Sequence, residues 1–230
     1  MSNAGSDPKR AVVVGSSFAG LTAAFELRKR LDPGVEVVVI EPREKFTFIP
    51  SLIWVPFGMR EPDDVTFDLE PVYTKKGIRF INEAAKGFDL EAQTVTTTGG
   101  QEVSYDSLLL ATGPRLAFEK IDGLGPHGGY TQSVCNLEHA LLTRDAWQKF
   151  LENPGPVVVG TAQGGSCFGA SYEVLLNTHY RIKKAGLEDV APMTFITAEP
   201  FLGHFGLGGV ADSQQRVEKY FAKLGIEGIP

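Results

Sequence analysis

Two cysteines are the residues of this sequence best suited to redox chemistry. Cys167 follows the glycine-rich turn at residues 160–165, and the helical pattern beyond the turn predicts that its thiol lies in the first turn of a helix. Unpaired N–H groups and the helix dipole favour a thiolate there. A free cysteine is more commonly a small buried hydrophobic residue. We favour the reactive interpretation because a solvated, glycine-rich turn comes directly before Cys167.

Three other side chains could exchange protons with the thiols of the two cysteines, Cys135 and Cys167. Glu173 lies six residues beyond Cys167, nearly two helical turns along, although most helix glutamates are simply solvated. His139 lies one turn beyond Cys135 if a helix begins at Asn136, so its imidazole could tune that thiol, or the two could be unrelated. His204 is a weaker candidate, because a loop histidine is more often a surface residue.

A metal site is not expected from these residues. Cys135 and His139 alone do not make a zinc site, which takes three or four protein ligands. The sequence also has no Ser-His-Asp arrangement, Walker loop or Cys-x-x-Cys pair.

A strand, glycine turn, helix and second strand open the chain over residues 11–41. This order of elements is typical of the unit that binds a dinucleotide pyrophosphate at a helix N-terminus. The alternative is a purely structural turn, but the flanking strands, helix and acid are all present. Glu41 ends the second strand about 20 residues after the last glycine, where a carboxylate can accept hydrogen bonds from ribose. The predicted cofactor-binding residues of the turn are Gly15, Ser16, Ser17, Phe18, Ala19 and Gly20.

The same device recurs later in the chain, where a strand at residues 156–159 enters the turn before Cys167. Ala162 occupies the middle position of this turn, and its Cβ would crowd a pyrophosphate. Glu199 lies farther past Gly165, the last glycine of this turn, than the interval of about 20 residues that is usual for an acid that contacts ribose. The repeat predicts an α/β fold with two Rossmann-like βαβ domains, but a nicotinamide nucleotide in the second domain is not favoured.

The intervening elements are predicted from periodicity and turn signals. Residues 46–58, rich in aromatics and prolines, are expected to form an ordered loop, which either packs on the protein surface or covers a flat cofactor ring. A small antiparallel meander is predicted between residues 84 and 105, and a buried strand at residues 108–110. Helices are predicted at residues 68–76, 137–150, 166–185 and 211–224, with strands at residues 78–81 and 193–197.

These elements suggest four segments: a leader at residues 1–10, a first dinucleotide-binding domain at 11–118, a connecting segment carrying Cys135 at 119–152, and a second Rossmann-like domain at 153–230. A doubly wound domain does not naturally stop at the start of a strand, so we expect the second domain to be truncated.

Composition narrows the classes of partner. The net charge of −6 over 230 residues argues against nucleic acid as a main partner, because phosphate binding needs clustered Lys and Arg. No apolar run approaches the roughly 20 residues that span a bilayer, and the polar start does not resemble a signal peptide. The chain itself is expected to be soluble and cytoplasmic on expression.

Several stretches together resemble a known family. The turn at residues 15–20, the strand end Ala111-Thr112-Gly113 and the second glycine turn resemble the two-dinucleotide-domain flavoprotein disulfide reductases. Within that group the chain is similar to the sulfide:quinone oxidoreductases. The stretches that carry this similarity are residues 50–55, residues 132–135 with His139, residues 164–169 with Glu173, and residues 199–204.

The resemblance implies a flavoprotein of sulfur metabolism that binds FAD, takes electrons from sulfide and gives them to a quinone. It implies that Cys167 is a redox cysteine and that Cys135 lies in a second cysteine region of the family. It adds several residues to the cofactor site: Pro42, Lys45, Pro50, Ala85, Thr112 and Gly113. A third cysteine, the quinone pocket and membrane-attaching helices are expected beyond Pro230. The whole protein would then be a peripheral membrane enzyme and a possible homo-oligomer, and the chain alone could be inactive.

Three other functional interpretations remain open on the sequence. An NADH-oxidising flavoprotein resembling type II NADH dehydrogenase would share both glycine turns without needing the cysteines. The flavoprotein of flavocytochrome c sulfide dehydrogenase is a related possibility, and a non-catalytic nucleotide-binding fragment is the third.

Overall fold

The computed structural model describes residues 9–230, so most of the predicted leader lies outside the described residues. The chain divides into two compact units. The first contains the residues up to Phe48 together with Thr66–Lys120, and the second contains Ile49–Val65 together with Ile121–Pro230.

The first unit has nine strands and two α-helices among the described residues. In chain order they are β1 (Arg10–Val14), α1 (Phe18–Arg30), β2 (Glu36–Ile40), β3 (Lys45–Thr47), β4 (Thr66–Asp68), α2 (Leu69–Lys75), β5 (Arg79–Ile81), β6 (Ala85–Asp89), β7 (Thr94–Thr97), β8 (Glu102–Ser104) and β9 (Ser107–Leu110).

A four-stranded parallel sheet in the order β5-β2-β1-β9 forms the centre of this unit. Both of its faces are covered, which explains why β1 and β2 are continuous apolar runs. Val13, Val37 and Val39 pack on one face with Ala24 of α1, whereas the alternate residues of these strands pack on the other face against the meander β6-β7-β8.

The predicted strand at residues 108–110 is present as β9, but the prediction that it is buried was wrong. Leu109 and Leu110 of β9 are 41% and 58% exposed. Because β9 is at the edge of the sheet and, among residues 9–230, pairs only with β1, the residues at its end lack a neighbouring strand to cover them.

The second unit contains three strands and three α-helices among the described residues. They are α3 (Leu137–Glu152), β10 (Val157–Thr161), α4 (Phe168–Lys184), β11 (Met193–Thr197), α5 (Ser213–Leu224) and β12 (Glu227–Ile229). The strands form a parallel sheet in the order β10-β11-β12. The aromatic rings of Tyr172, Phe195 and Phe221 lie at the centre of its core.

Residues 46–58 do not form the loop that the sequence predicted. Lys45–Thr47 is strand β3, and Ile49–Phe57 is a run of 3-10 helix belonging to the second unit. Leu52 and Val55 are buried against Ala140 of α3, and Arg144 of α3 donates from Nε to the Val55 carbonyl at 2.9 Å. The apolar residues of this segment therefore anchor it to a helix core, which aromatic and proline content alone did not reveal.

The other predicted elements are present, and their ends are displaced by three residues at most. Each unit carries a parallel strand–turn–helix–strand arrangement, as the internal repeat indicated. Among the described residues, no helix has the length and apolar character needed to cross a membrane.

Gly20 provides a stability test of the first glycine turn. A Cβ at this position would overlap the carbonyl group of Gly15 and contact Ala111, whereas a Cβ on Gly169 of α4 would meet no atom within 4 Å. We expect Gly20→Ala to lower the free energy of unfolding by about 1–3 kcal/mol, as overpacking does. Urea unfolding followed by circular dichroism measures the change.

Gly169→Ala is the matched control, because it also places alanine in the first turn of a helix after a glycine turn. Alanine is the better helix former by up to ~1 kcal/mol, so this variant should be neutral or more stable. Equal effects of the two substitutions would contradict the close approach of α1 to the turn.

Candidate functional site

The first glycine turn is fixed at the carboxyl ends of the parallel strands. Gly15 has a φ of +100°, and a Cβ there would collide with the carbonyl oxygen of Ala111. Its N–H donates to the Ile40 carbonyl of β2 at 2.9 Å, and the Ala111 N–H donates to the Val14 carbonyl at 2.7 Å. Only glycine combines this backbone angle with this approach.

Helix α1 begins directly after this turn without a side-chain cap. Ser17 is the N-cap residue, but its hydroxyl makes no capping hydrogen bond. The first N–H groups of an α-helix have no intrahelical acceptor, and they carry the positive end of the helix dipole. Ser17, Phe18 and Ala19 are at least partly exposed here. The start of α1 can therefore accept an anionic group such as a pyrophosphate.

Ser16 directs both of its polar groups into the protein. Its hydroxyl hydrogen-bonds the buried hydroxyl of Tyr73, and its N–H donates to Glu41 Oε2 at 2.8 Å. Burial raises the pKa of Tyr73, with the nearby charge of Glu41 acting in the same direction against the Ser16 hydrogen bond. Within the first unit, Ser16 therefore links the glycine turn to α2.

Glu41 lies at the end of β2, as predicted, and its side chain is only 2% exposed. Its two oxygens accept hydrogen bonds from Arg43 Nε and Nη2 at 2.8 and 2.9 Å, from the Arg43 N–H, and from Ser16. Burial alone would raise the pKa of Glu41, but the hydrogen bonds and charge of Arg43, aided by the Ser16 N–H, lower it overall. The carboxylate is thus held ionised inside the first unit.

The remaining predicted cofactor-binding residues, except Pro50, lie in the first unit. The carbonyls of Glu41 and Pro42 both accept from the Asn82 side chain at 3.0 Å, and Lys45 lies on β3. Ala85 opens β6, while Thr112 and Gly113 follow β9, where Gly113 has a φ of +73°. Pro50 alone belongs to the second unit.

In the second unit, Cys167 is the N-cap residue of α4, not a residue of its first turn as the sequence suggested. Its ψ of 66° is not helical, so the helix starts at Phe168. The thiol is exposed, is not in a disulfide, and makes no capping hydrogen bond. It therefore lies at the uncapped positive end of a 17-residue helix. Glu173 is exposed on the same helix.

His204 lies in a loop held by a buried polar network. The Tyr172 hydroxyl donates to Glu199 Oε2 at 2.8 Å and accepts from the Gly203 N–H at 2.8 Å. Glu199 also accepts from the Thr197 hydroxyl and from the N–H of Phe205, whose φ is +55°. Burial raises the pKa of Tyr172, and the adjacent Glu199 carboxylate raises it further against the Gly203 hydrogen bond. The loop passes the start of α4, since a Cβ on Gly206 would contact Phe168.

Cys135 and His139 flank the start of α3 in the predicted arrangement. Asn136 is the N-cap residue, and its side chain accepts from the His139 N–H at 2.7 Å. Cys135 is exposed with a free thiol, whereas His139 is buried. Burial lowers the pKa of His139, as does the nearby His127, and the charge of Glu138 opposes them. No disulfide joins Cys135 to Cys167.

Three residues that organise these sites were not predicted from the sequence. Arg43 holds Glu41, and its position two residues after the acid was the available signal. Tyr73 and Tyr172 each support a site residue from a helix more than 25 residues away in the chain. Nothing in their local sequence indicates such a partner.

Residues 9–171 match the family model described as pyridine nucleotide-disulphide oxidoreductase. The chain belongs to this family. Its members are FAD flavoproteins, so membership confirms the predicted α/β fold class with nucleotide-binding βαβ domains and the predicted FAD.

Within the pyridine nucleotide-disulphide oxidoreductase family, the chain is 42% identical over 221 residues to the sulfide-quinone reductase of Aquifex aeolicus. The match covers 96% of this chain and 50% of that protein. The crystal structure of the Aquifex aeolicus sulfide:quinone oxidoreductase superimposes with a TM-score of 0.90 over the same share of each chain. A type II NADH:quinone oxidoreductase of Mycobacterium tuberculosis is 32% identical over only 47% of this chain and 23% of its own length.

The chain therefore spans at most about half the length of the curated relatives it matches. The recognised similarity to sulfide:quinone oxidoreductases is confirmed over nearly all of the present chain.

The ion pair at Glu41 predicts a pH dependence of stability. Because its folded-state pKa is lowered below the ordinary glutamate value of 4.5, Glu41 contributes stability above that pH, and this stability is lost as pH falls through the folded pKa. We expect Glu41→Gln to cost about 2 kcal/mol at neutral pH, since an amide nitrogen would then face the donors of Arg43 and Ser16. Urea unfolding at neutral and acidic pH gives both values.

The difference between wild type and Glu41→Gln should shrink below pH 4.5. Glu26→Gln is the control, because Glu26 pairs with Arg30 on the exposed face of α1, and it should leave the urea midpoint nearly unchanged. A difference that persists unaltered in acid would contradict an ionised, buried Glu41.

Proposed function

We propose that the whole protein is a sulfide-oxidising flavoenzyme that passes electrons from sulfide to a quinone, and that Cys167 carries the sulfur. The exposed thiol of Cys167 at the uncapped N-terminus of α4 is the observation on which this proposal rests. The similarity to sulfide-quinone reductases over 96% of the chain supports the same substrates.

The first unit has the features that fit FAD. The uncapped start of α1 after Gly15 would hold the pyrophosphate through its N–H groups. Each Glu41 oxygen already accepts two hydrogen bonds, so a ribose hydroxyl would replace a donor of Arg43, whose side chain is 55% exposed. When bound, FAD supplies a two-electron acceptor that can be reoxidised by a quinone.

Residues of the chain would then carry the sulfur and exchange the protons. The dipole of α4 would stabilise a negative charge on Cys167 Sγ, the form in which sulfur attacks or is displaced. We assign Glu173 and His204 as candidate proton acceptors near the start of α4, because both belong to elements that reach this end of the second unit. The buried, neutral imidazole of His139, in the first turn of α3, would act on Cys135, which lies just before the N-cap residue of that helix.

We retain the predicted organisation as part of this proposal: an FAD domain at residues 11–118, a segment with Cys135 at 119–152, and a second Rossmann-like domain from residue 153. Pro42, Lys45, Pro50, Ala85, Thr112 and Gly113 remain proposed cofactor contacts. Peripheral membrane attachment and homo-oligomer formation are further proposals for the whole protein.

The NADH-oxidising alternative is not favoured, because the NADH-oxidising relatives are 26–32% identical to this chain, against 42% for the sulfide-quinone reductase. The flavocytochrome c alternative is also not favoured, since the relative that matches 96% of this chain is a sulfide-quinone reductase by name.

Anaerobic titration of the whole, FAD-loaded protein tests the proposal. Sulfide should bleach the flavin absorption, and a quinone added afterwards should restore it. Bleaching by NADH but not by sulfide would reject the assignment. A protein that binds no FAD would instead favour a non-catalytic nucleotide-binding role.

The variant Cys167→Ser tests the role of the thiol. It should slow sulfide-driven bleaching by at least about 100-fold, because the serine hydroxyl neither ionises nor exchanges sulfur near neutral pH. Ser166→Ala, at the exposed neighbouring residue, is the matched control and should bleach at the wild-type rate. An unchanged rate in Cys167→Ser would remove Cys167 from the reaction.

A further inference from the structure

Three side chains that commonly bind metals converge at the start of α3. His127, Glu138 and His139 each place one ligand atom within 4.8 Å of the other two. His127 Nε2 lies 3.1 Å from Glu138 Oε1, and the two imidazole rings are 5.5 Å apart between centroids. All three residues belong to the second unit. Two imidazoles and one carboxylate are a donor set that zinc uses in proteins.

The backbone on either side of this cluster is held by hydrogen bonds. Asn136 caps α3 through the His139 N–H, and the Thr143 hydroxyl donates to the carbonyl of His139 at 2.8 Å. The loop carrying His127 is closed by the Tyr130 N–H, which donates to the Gly123 carbonyl at 2.7 Å. It is also closed by the Gly125 N–H, which donates to the Thr131 hydroxyl at 2.7 Å. These hydrogen bonds therefore hold in place both segments that carry the three residues, the loop with His127 and the start of α3.

The separations suit a tetrahedral ion. Zinc bonds of about 2.0–2.1 Å place neighbouring ligand atoms roughly 3.3 Å apart, close to the separation between His127 and Glu138. His139 is 5% exposed and forms a fixed base for the site, whereas the side chains of His127 and Glu138 are 61% and 68% exposed. Small rotations of these two exposed side chains would bring all three ligand atoms to bonding distance.

We propose that His127, Glu138 and His139 form a binding site for one divalent transition-metal ion, with zinc as the best-fitting class and a water molecule as the fourth ligand. The sequence did not suggest this site because His127 lies in the glycine-rich loop, outside the Cys135 and His139 pair.

Isothermal titration of the full, tag-free 230-residue chain with Zn²⁺ tests the site. The background is Cys135→Ser with Cys167→Ser, so that neither exposed thiol can bind the metal. Co²⁺ replaces Zn²⁺ in a parallel experiment, where the intensity of its visible absorption reports coordination number. Mg²⁺ is the negative control, because it prefers octahedral oxygen ligands.

One ion should bind per chain. His127→Ala and Glu138→Gln should each weaken zinc binding at least 10-fold, a loss of the order caused even by changes around the ligands. His179→Ala, which removes a histidine of α4 in the same unit, should bind zinc as the background does.

Equal affinity in all variants would place the ion elsewhere and overturn the proposal, as would the absence of zinc binding to the background protein. Glu138→Gln is nearly isosteric and exposed, so it decides the outcome if His127→Ala disturbs its loop. The readout is metal binding, so the result is independent of the sulfide activity proposed above.

Discussion

The buried carboxylate of Glu41 ties the first glycine turn to the sheet beneath it. It accepts from the Ser16 N–H in the turn and from Arg43 in the segment after β2, so one charge fixes two chain segments. A carboxylate in such a position is tolerated only when its oxygens are satisfied by donors. The start of α1 remains uncapped and available for an anion, because the Ser16 hydroxyl bonds Tyr73 and the Ser17 hydroxyl makes no capping hydrogen bond.

The second unit contains a comparable acid that performs a different task. Glu199 follows β11 as Glu41 follows β2, but it accepts from the Tyr172 hydroxyl and from the N–H of Phe205. It thereby holds the loop carrying His204 beside the start of α4. The two halves of the repeat have thus placed a buried carboxylate after the second strand, in one case to brace the glycine turn and in the other to shape a neighbouring loop. At the start of α4, beside that loop, the exposed group is the thiol of Cys167.

The parallel strands, the helices after the glycine turns and the meander were predictable, because their apolar runs and glycines are local signals. The exposure of Leu110 was not, since it depends on which strands pair in the sheet. The 3-10 segment Ile49–Phe57 was missed because α3, which buries it, lies about 90 residues further along the chain. Of the candidate site residues, the sequence located the helix starts and the acids. Their supporting partners Arg43, Tyr73 and Tyr172 depend on tertiary packing.

The placement of Ile49–Val65 in the second unit has a consequence for dissecting the protein. This segment lies in the chain between two portions of the first unit, yet Leu52 and Val55 find their packing partner in Ala140, and Arg144 binds the Val55 carbonyl. Cutting the chain after Lys120 would leave these apolar side chains on the N-terminal piece, without their packing partner and exposed to water. Excision of a stand-alone N-terminal module would therefore call for replacing residues 49–65 with a short polar linker between β3 and β4, whose antiparallel pairing already brings the two ends together.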